Sequence, residues 1–240
     1  MSVRVLELYP ADLSLNGDVG NRTALVRRMR LAGIEVEELS YSAGDELPET
    51  ADIVLIGTGS SSAVRSIAAD IERIAPTLRA WADAGVVIVG AGAGFHLLST
   101  SVRLSATEVI PGAGIFAGSV DSSSKRIITE AFALDSEFGL IIGTENHTSV
   151  YTGRPDQKAL GRVRNGFGNG DGTEGARVNN SIGTHCHGPF LVLNPAVADA
   201  LITIAAKRGG LEYQPGPEHA ELDGVIDLAR AILIAKVPSA

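Results

Sequence analysis

The sequence predicts an α/β protein whose central sheet is mostly parallel and is extended by antiparallel strands. In the first hundred residues β-forming segments alternate with helical ones, which is the pattern of a doubly wound sheet with right-handed crossovers. Gly85-Val86-Val87-Ile88-Val89 has the continuous apolar character of a strand buried on both faces. After about Thr107 the β-type segments become shorter and polar, glycine-rich loops join them, which indicates the antiparallel part.

The predicted elements alternate along the first half and turn mainly to strands in the second. The parallel part has strands at 3–8, 34–39, 52–56 and 85–89, with helices at 22–32 and 63–84, the second broken near Pro76. The antiparallel part has β-type runs at 126–130, 140–143, 161–164, 176–179 and 181–185, followed by helices at 195–207 and 224–236. We expect one domain over residues 1–240, with a core at about 3–207 and a C-terminal helix at 224–236.

Composition narrows the function classes. A net charge of −8 argues against a nucleic-acid partner, which would call for a basic face. The single cysteine, Cys186, excludes an internal disulfide and fits a reducing compartment. Because no apolar run reaches the roughly 20 residues that span a bilayer and no signal peptide is visible, we expect a cytoplasmic protein without membrane insertion.

The most informative stretch is Gly90-Ala91-Gly92-Ala93-Gly94-Phe95-His96, a glycine-rich turn between a buried strand and a helix. Such turns hold nucleophiles or phosphates in α/β proteins, yet the exposed position here carries no reactive side chain. A dinucleotide loop is the weaker interpretation, because the spacing is G-x-G-x-G rather than G-x-G-x-x-G. A tight turn that permits close packing is favoured, and no cofactor is predicted.

Several segments, in order along the chain, resemble the CobB/CobQ-like group of class I glutamine amidotransferases, and most closely its GatD-type small subunits. The matching segments are Leu8-Tyr9-Pro10, Asn16-Gly17-Asp18-Val19-Gly20-Asn21, Ile141-Ile142-Gly143-Thr144-Glu145-Asn146-His147, Gly166-Phe167-Gly168-Asn169, Asp171-Gly172-Thr173-Glu174-Gly175 and Ile182-Gly183-Thr184-His185-Cys186-His187-Gly188-Pro189. The resemblance implies a flavodoxin-like amidotransferase fold. It also implies glutamine hydrolysis, with ammonia passed to a Mur-ligase-like synthetase partner such as MurT, which acts in amidation of the lipid II stem peptide.

The resemblance also implies roles for individual residues. His187 matches the family's catalytic histidine, and Arg126 matches an arginine that binds the glutamine substrate. Gly59, Ala93 and His96 match positions around the same substrate.

This sequence differs from the family's pattern at the positions that carry out the family's reaction. The family's turn reads roughly Cys-Ala-Gly-Tyr-Gln, so Gly92 stands at the nucleophile position and His96 replaces the glutamine. The upstream Gly-Gly-Gly-Gln-Asp loop has become Gly57-Thr58-Gly59-Ser60-Ser61. Without a thiol no thioester can form, and we predict no glutaminase activity by the family's mechanism. Cys186 is a poor replacement, because strand alternation points it away from the face that carries His187.

Several polar residues allow two interpretations each. His185 and His187 have a spacing compatible with metal binding but no third ligand, so His187 is interpreted as a vestigial base and His185 as a partly exposed strand residue. Active members of the family often carry an acid two residues after the catalytic histidine, and Pro189 stands at that position here. An acid that orients His187 would therefore come from elsewhere, for example from a partner subunit. Arg126 is either a carboxylate ligand or a surface cation.

Three further polar segments also allow two interpretations each. The segments 145–147 and 171–175 form either a pocket wall or partner surface, or ordinary turns. Ser60-Ser61-Ser62 is interpreted as a helix cap rather than as a nucleophile.

Three functions follow from these observations. The first is a degenerate amidotransferase subunit that binds and regulates an amide-forming synthetase. The second is a hydrolase of altered chemistry with His187 or His96 as base. The third is a binding module in which Arg126 and the glycine-rich turn hold an amino acid, such as glutamine, or a phosphate.

Overall fold

The computed structural model describes residues 2–122 and 124–238, and in these residues three sheets and six helices are arranged around two apolar cores. The helices are α1 (Val19–Leu31), α2 (Ser61–Asp83), α3 (Ala93–Leu98), α4 (Phe190–Leu193), α5 (Pro195–Arg208) and α6 (Pro217–Ile234). The strands of the first half are β1 (Ser2–Leu8), β2 (Glu35–Tyr41), β3 (Ile53–Ile56), β4 (Val87–Ala91), β5 (Ser99–Ser105), β6 (Glu108–Pro111) and β7 (Phe116–Asp121). Those of the second half are β8 (Ile127–Ser136), β9 (Gly139–His147), β10 (Val150–Gly153), β11 (Gly161–Asn165), β12 (Thr173–Glu174), β13 (Ala176–Val178), β14 (Ser181–Thr184) and β15 (Cys186–His187).

The central sheet is the predicted, mostly parallel one. Its six strands run in the order β13-β14-β4-β3-β1-β2, and only the edge pair β13–β14 is antiparallel. Both middle strands, β3 and β4, are buried along their whole length, as their continuous apolar sequences predict. The carboxyl ends of β3 and β4 therefore meet at one edge, where α2 and α3 begin.

The two faces of this sheet bury separate cores because side chains alternate along each strand. Val54, Ile56 and Ile88 pack on the α2 side. Ile53 and Val87 pack on the opposite side, with α1 and α5. Each fully buried Leu, Ile or Val contributes about 1.5–3 kcal/mol to the free energy of folding, so these two cores fix the scaffold that carries the strand ends.

The antiparallel part differs in detail from the expected extension of one sheet. The run predicted at 181–185 becomes β14, which joins the central sheet in parallel with β4, and β13 is the one antiparallel strand described there. The other strands from β5 onward form two further sheets, β10-β7-β5-β6 and β12-β11-β8-β9-β15. The long hairpin of β8 and β9 forms the centre of the second of these sheets. It brings the C-terminal end of β9 alongside β15, so residues 145–147 lie close to His187.

Some predicted boundaries were wrong. Helix α2 continues without a break past Pro76, because Ile67, Ile71 and Leu78 form one buried face along it. Strands β5, β6, β7, β10, β12 and β15 were not predicted.

The C-terminal helix also has different bounds from those expected. Helix α6 begins at Pro217 rather than at 224, and a proline at the first helical position is a start signal that the sequence did contain. None of the described helices is long and apolar enough to cross a membrane.

Candidate active site

The candidate site lies at the turn between β4 and α3. Gly92 has φ 52° and ψ −113°, a conformation that favours glycine, and Ala93 opens α3 directly after it. Gly94 lies against β3, where an added Cβ would lie 2.7 Å from the carbonyl carbon of Ile56. The chain thus keeps the sharp strand-to-helix turn on which α/β enzymes expose a nucleophile, but it has no side chain there.

Thr58 fills the space beside Gly92. A Cβ added to Gly92 would overlap Thr58 Oγ1 and would lie 2.8 Å from Thr58 Cβ. On its other side it would lie 2.9 Å from His187 Cε1. The nucleophile position is therefore closed by a neighbouring side chain, and replacing glycine alone would not reopen it.

The Thr58 hydroxyl also accepts a hydrogen bond from a backbone N–H group of the turn. The N–H of Ala93, the residue after the nucleophile position, donates to Thr58 Oγ1 at 2.9 Å. In acyl-transfer enzymes with this turn, that N–H group stabilises the oxyanion of the tetrahedral intermediate. Here it has an intramolecular acceptor instead.

His187 has an orienting acid within this chain. Asp18 Oδ1 lies 3.2 Å from His187 Nδ1, and both side chains are buried. The other carboxylate oxygen, Asp18 Oδ2, accepts the Thr58 N–H at 2.8 Å. Asp18 belongs to one of the segments that match the family, but no local pattern predicts this role, because 169 residues separate it from His187.

Two carboxylate–imidazole pairs lie stacked behind the site. His147 Nε2 is 3.0 Å from Glu145 Oε1, and His185 Nδ1 is 3.2 Å from Glu174 Oε2. The two imidazole rings stack with centroids 4.2 Å apart. The interpretation of His185 as partly exposed was wrong: its side chain is fully buried, because the chain turns inward between β14 and β15 to meet Glu174.

Burial and hydrogen bonds act differently on the two acids. Burial raises the pKa of Glu174 to about 7, against bonds from the His185 N–H and the Thr184 hydroxyl that lower it. Burial would also raise the pKa of Glu145, but bonds from His147 and from the Phe167 and Gly168 amides hold that pKa below its usual value.

His96 completes the group of imidazoles. Its side chain is 8% exposed, and its Nε2 has no hydrogen-bond partner among the described residues. Burial, reinforced by the neighbouring His185 and His147, lowers the pKa of His96 well below its usual value. The ring is therefore neutral at physiological pH.

A cavity of about 290 Å³ opens in front of these groups. All six residues that the sequence singled out line it, namely Gly59, Gly92, Ala93, His96, Arg126 and His187. Arg126 is exposed and is held by a bond of 2.5 Å from its Nη1 to Asn146 Oδ1. The described lining includes no aspartate or glutamate.

Three other expectations can be placed. Cys186 is buried outside the lining, and burial raises the pKa of its thiol well above the usual value, so it is not a nucleophile for this cavity. Ser60 caps α2 by accepting the Ala63 N–H at 3.2 Å. Within residues 2–122 and 124–238, no group of histidine, cysteine or acidic side chains is arranged to hold a metal ion.

Comparison with known families agrees with this geometry. The sequence pattern of the CobB/CobQ-like glutamine amidotransferase domain matches residues 26–195. The chain belongs to this family. The amidotransferase match runs from within α1 to the start of α5 and includes Thr58, Gly92 and His187, so the departures lie within the domain itself.

Two curated amidotransferase subunits are similar over nearly their whole length. The lipid II isoglutaminyl synthase (glutamine-hydrolyzing) subunit GatD of Staphylococcus aureus (strain N315) is 29% identical over 92% of this chain and 90% of its own. The subunit of the same name from Streptococcus pneumoniae (strain ATCC BAA-255 / R6) is 27% identical over 86% of this chain and 81% of its own. This amidotransferase chain is therefore a GatD-like subunit.

Solved structures show the same fold. The PurLQS structure from Thermotoga maritima superimposes with a TM-score of 0.59 at 17% identity, covering 87% of this chain and 99% of that one. A crystal structure of a glutamine amidotransferase superimposes with a TM-score of 0.58 at 18% identity, covering 83% of this chain and 98% of that one. The class I amidotransferase fold predicted from the sequence is confirmed.

Proposed function

We propose that this GatD-like subunit does not hydrolyse glutamine by the cysteine mechanism of its family and acts as a binding or regulatory subunit of an amide-forming synthetase. The observation that carries the proposal is the position of Thr58. Its side chain occupies the space of a nucleophile at position 92 and its hydroxyl accepts the Ala93 N–H. The site has lost both the attacking group and one donor to the oxyanion.

Neither Thr58 nor Cys186 replaces the missing thiol. Thr58 Oγ1 has no hydrogen bond to His187 among the described contacts, so no base withdraws its proton. The thiol of Cys186 lies outside the cavity and stays protonated. Both groups lack the arrangement that makes a hydroxyl or thiol nucleophilic.

The proposed partner is a Mur-ligase-family synthetase of the MurT type, in a cytoplasmic complex that amidates the lipid II stem peptide. Similarity to two proteins named as subunits of lipid II isoglutaminyl synthase supports this assignment. It covers most of both chains, including the loops around the cavity. A partner-binding role would explain why the fold persists while the nucleophile does not.

Two measurements on the native chain test the proposal. We expect co-expression with a Mur-ligase-like synthetase to yield a complex that co-elutes in size-exclusion chromatography. We also expect no release of glutamate from glutamine, either by the chain alone or by that complex. Glutamate release that is lost in His187→Ala would overturn the catalytic half of the proposal, and failure to bind the synthetase would overturn the other half.

The intact Asp18–His187 pair favours one second candidate, a hydrolase of altered chemistry. In that case His187 Nε2 would take a proton from a water molecule that attacks an acyl carbon, and Asp18 would hold the ring at Nδ1. Turnover of any ester or amide from a hydrolase panel that disappears in both His187→Ala and Asp18→Asn would establish it. No turnover across the panel would remove it.

A further inference from the structure

The amino-terminal end of α2 forms one wall of the cavity. Ser60 caps this helix of 23 residues, and Ser60 and Ser61 both line the cavity. The N–H groups of Ser61 and Ser62 have no acceptor among the described residues, whereas that of Ala63 is satisfied by the cap. Free N–H groups and the positive end of the helix dipole make this wall attractive to an anion.

A second unpartnered polar group belongs to a residue of the same cavity wall. His96 Nε2 is buried and has no partner among the described residues, although the ring lines the cavity and is only 8% exposed. Buried polar atoms in native proteins almost always have a partner, so an orphaned one on a cavity wall points to a ligand. As a neutral imidazole, His96 can donate one hydrogen bond to that ligand.

The described lining holds an arginine and no carboxylate, although the chain as a whole is acidic. The chain carries −8, yet Arg126 and three histidines are the ionisable groups of the described lining. Two nearby carboxylates are turned away and already paired. Asp18 is bonded to His187 and to the Thr58 N–H, and Glu145 to His147 and two loop amides.

We propose that this cavity binds the phosphate group of a small phosphomonoester, with the phosphate at the start of α2 between Ser61, His96 and Arg126. A phosphate dianion offers three oxygens, which can accept the helix N–H groups, the imidazole N–H and the guanidinium together. An α-amino acid fits less well, because the described lining offers no carboxylate to its ammonium group. The lining also includes the apolar side chains of Leu15, Val64 and Leu104, which suit an uncharged organic part.

The test is calorimetric titration of the full chain with inorganic phosphate and with glycerol 3-phosphate, at constant ionic strength set with NaCl. Thermal unfolding in the same solutions provides a second readout, because a ligand that binds only the folded state raises Tm. L-glutamine is titrated in parallel. We expect saturable binding of both phosphates, tighter for the ester, and weaker or no binding of glutamine.

The variants separate the proposed contacts from general charge effects. Ser61→Pro removes one helix N–H at a position where proline is well tolerated, since Ser60 is already extended, while Ser61→Ala keeps that N–H. Arg126→Gln removes the exposed cation, and Arg162→Gln removes an exposed arginine outside the cavity as its control. We expect about tenfold or greater loss of affinity for Ser61→Pro and Arg126→Gln, and less than about twofold loss for Arg162→Gln.

Three results would overturn the inference. These are no saturable phosphate binding at constant ionic strength, equal loss in Arg162→Gln and Arg126→Gln, and tighter binding of glutamine than of either phosphate. Because the measurements use the isolated chain and no turnover, they are independent of whether it hydrolyses glutamine or binds a synthetase.

Discussion

Replacing Gly92 with alanine tests the packing of Thr58 against the turn. The new Cβ adds two separate penalties. It places a side chain on a backbone with φ 52° and ψ −113°, and it overlaps Thr58. Strain of this kind costs about 1–3 kcal/mol, and overpacking of a rigid buried site costs about 1–3 kcal/mol more. We therefore expect Gly92→Ala to lower the free energy of unfolding by about 2–6 kcal/mol.

A double-mutant cycle with Thr58→Gly separates the two penalties. Removing the threonine side chain relieves the overlap and leaves the backbone strain, so the cycle should give a coupling energy of about 1–3 kcal/mol. Thr58→Val is the matched control, because it removes the hydroxyl but keeps the bulk and should relieve little. Urea unfolding followed by circular dichroism measures all six chains. Additive effects in the Thr58→Gly cycle, or equal relief by Thr58→Val, would refute the packing described here.

Two further predictions concern buried charges. Arg28 is 2% exposed and joins α1 to α5 and α6 through ion pairs with Asp199 and Asp223. Arg28→Met should therefore lower the free energy of unfolding by about 2–3 kcal/mol, which is less than the loss for a fully buried ion pair because both acids are partly exposed. An unchanged urea midpoint would contradict this prediction. Burial raises the pKa of Glu174 from its ordinary 4.5 to about 7, so between these values the folded chain holds a proton that the unfolded chain has lost. Glu174 alone should therefore lower the free energy of unfolding by about 3 kcal/mol as pH rises through this window. The buried neutral rings of His96 and His185, whose pKa values are lowered, act in the opposite sense below their ordinary pKa of 6.5, so the prediction is the difference between the native chain and Glu174→Gln. In denaturant titrations from pH 5 to 8 the native chain should show a more negative slope of stability against pH than Glu174→Gln, and equal slopes would contradict the prediction.

The sequence was sufficient for the features that depend on local pattern. The apolar runs of β3 and β4, the turn at Gly92 and the cap at Ser60 each follow from a few neighbouring residues. The resemblance to a known family, in turn, assigned six residues to one site, and all six line the same cavity. The positions of Gly59, Gly92 and Ala93 were predictable because the carboxyl ends of the parallel strands β3 and β4 meet at a common edge. Arg126 and His187, in contrast, lie beside or in strands of another sheet and were assigned by the resemblance alone.

The decisive contacts were not predictable in this way. Thr58 contacts Gly92 although 34 residues separate them in the sequence, and Asp18 contacts His187 at a separation of 169 residues. Neither contact can therefore be predicted from a local sequence pattern. The burial of His185, which lies between β14 and β15, depends on Glu174 in β12, 11 residues earlier. Such pairs appear only when packing is known, and they decide whether the site is open or closed.

Glutamine hydrolysis by four chains, each assayed alone and with the synthetase, tests the central claim most directly. The chains are the native protein, Gly92→Cys, Thr58→Gly, and the double variant Thr58→Gly/Gly92→Cys. Because Thr58 fills the nucleophile space and accepts the Ala93 N–H, we predict glutamate release by the double variant alone, with loss of that activity in its His187→Ala derivative. Glutamate release by the native chain, or by Gly92→Cys at the rate of the double variant, would contradict the account.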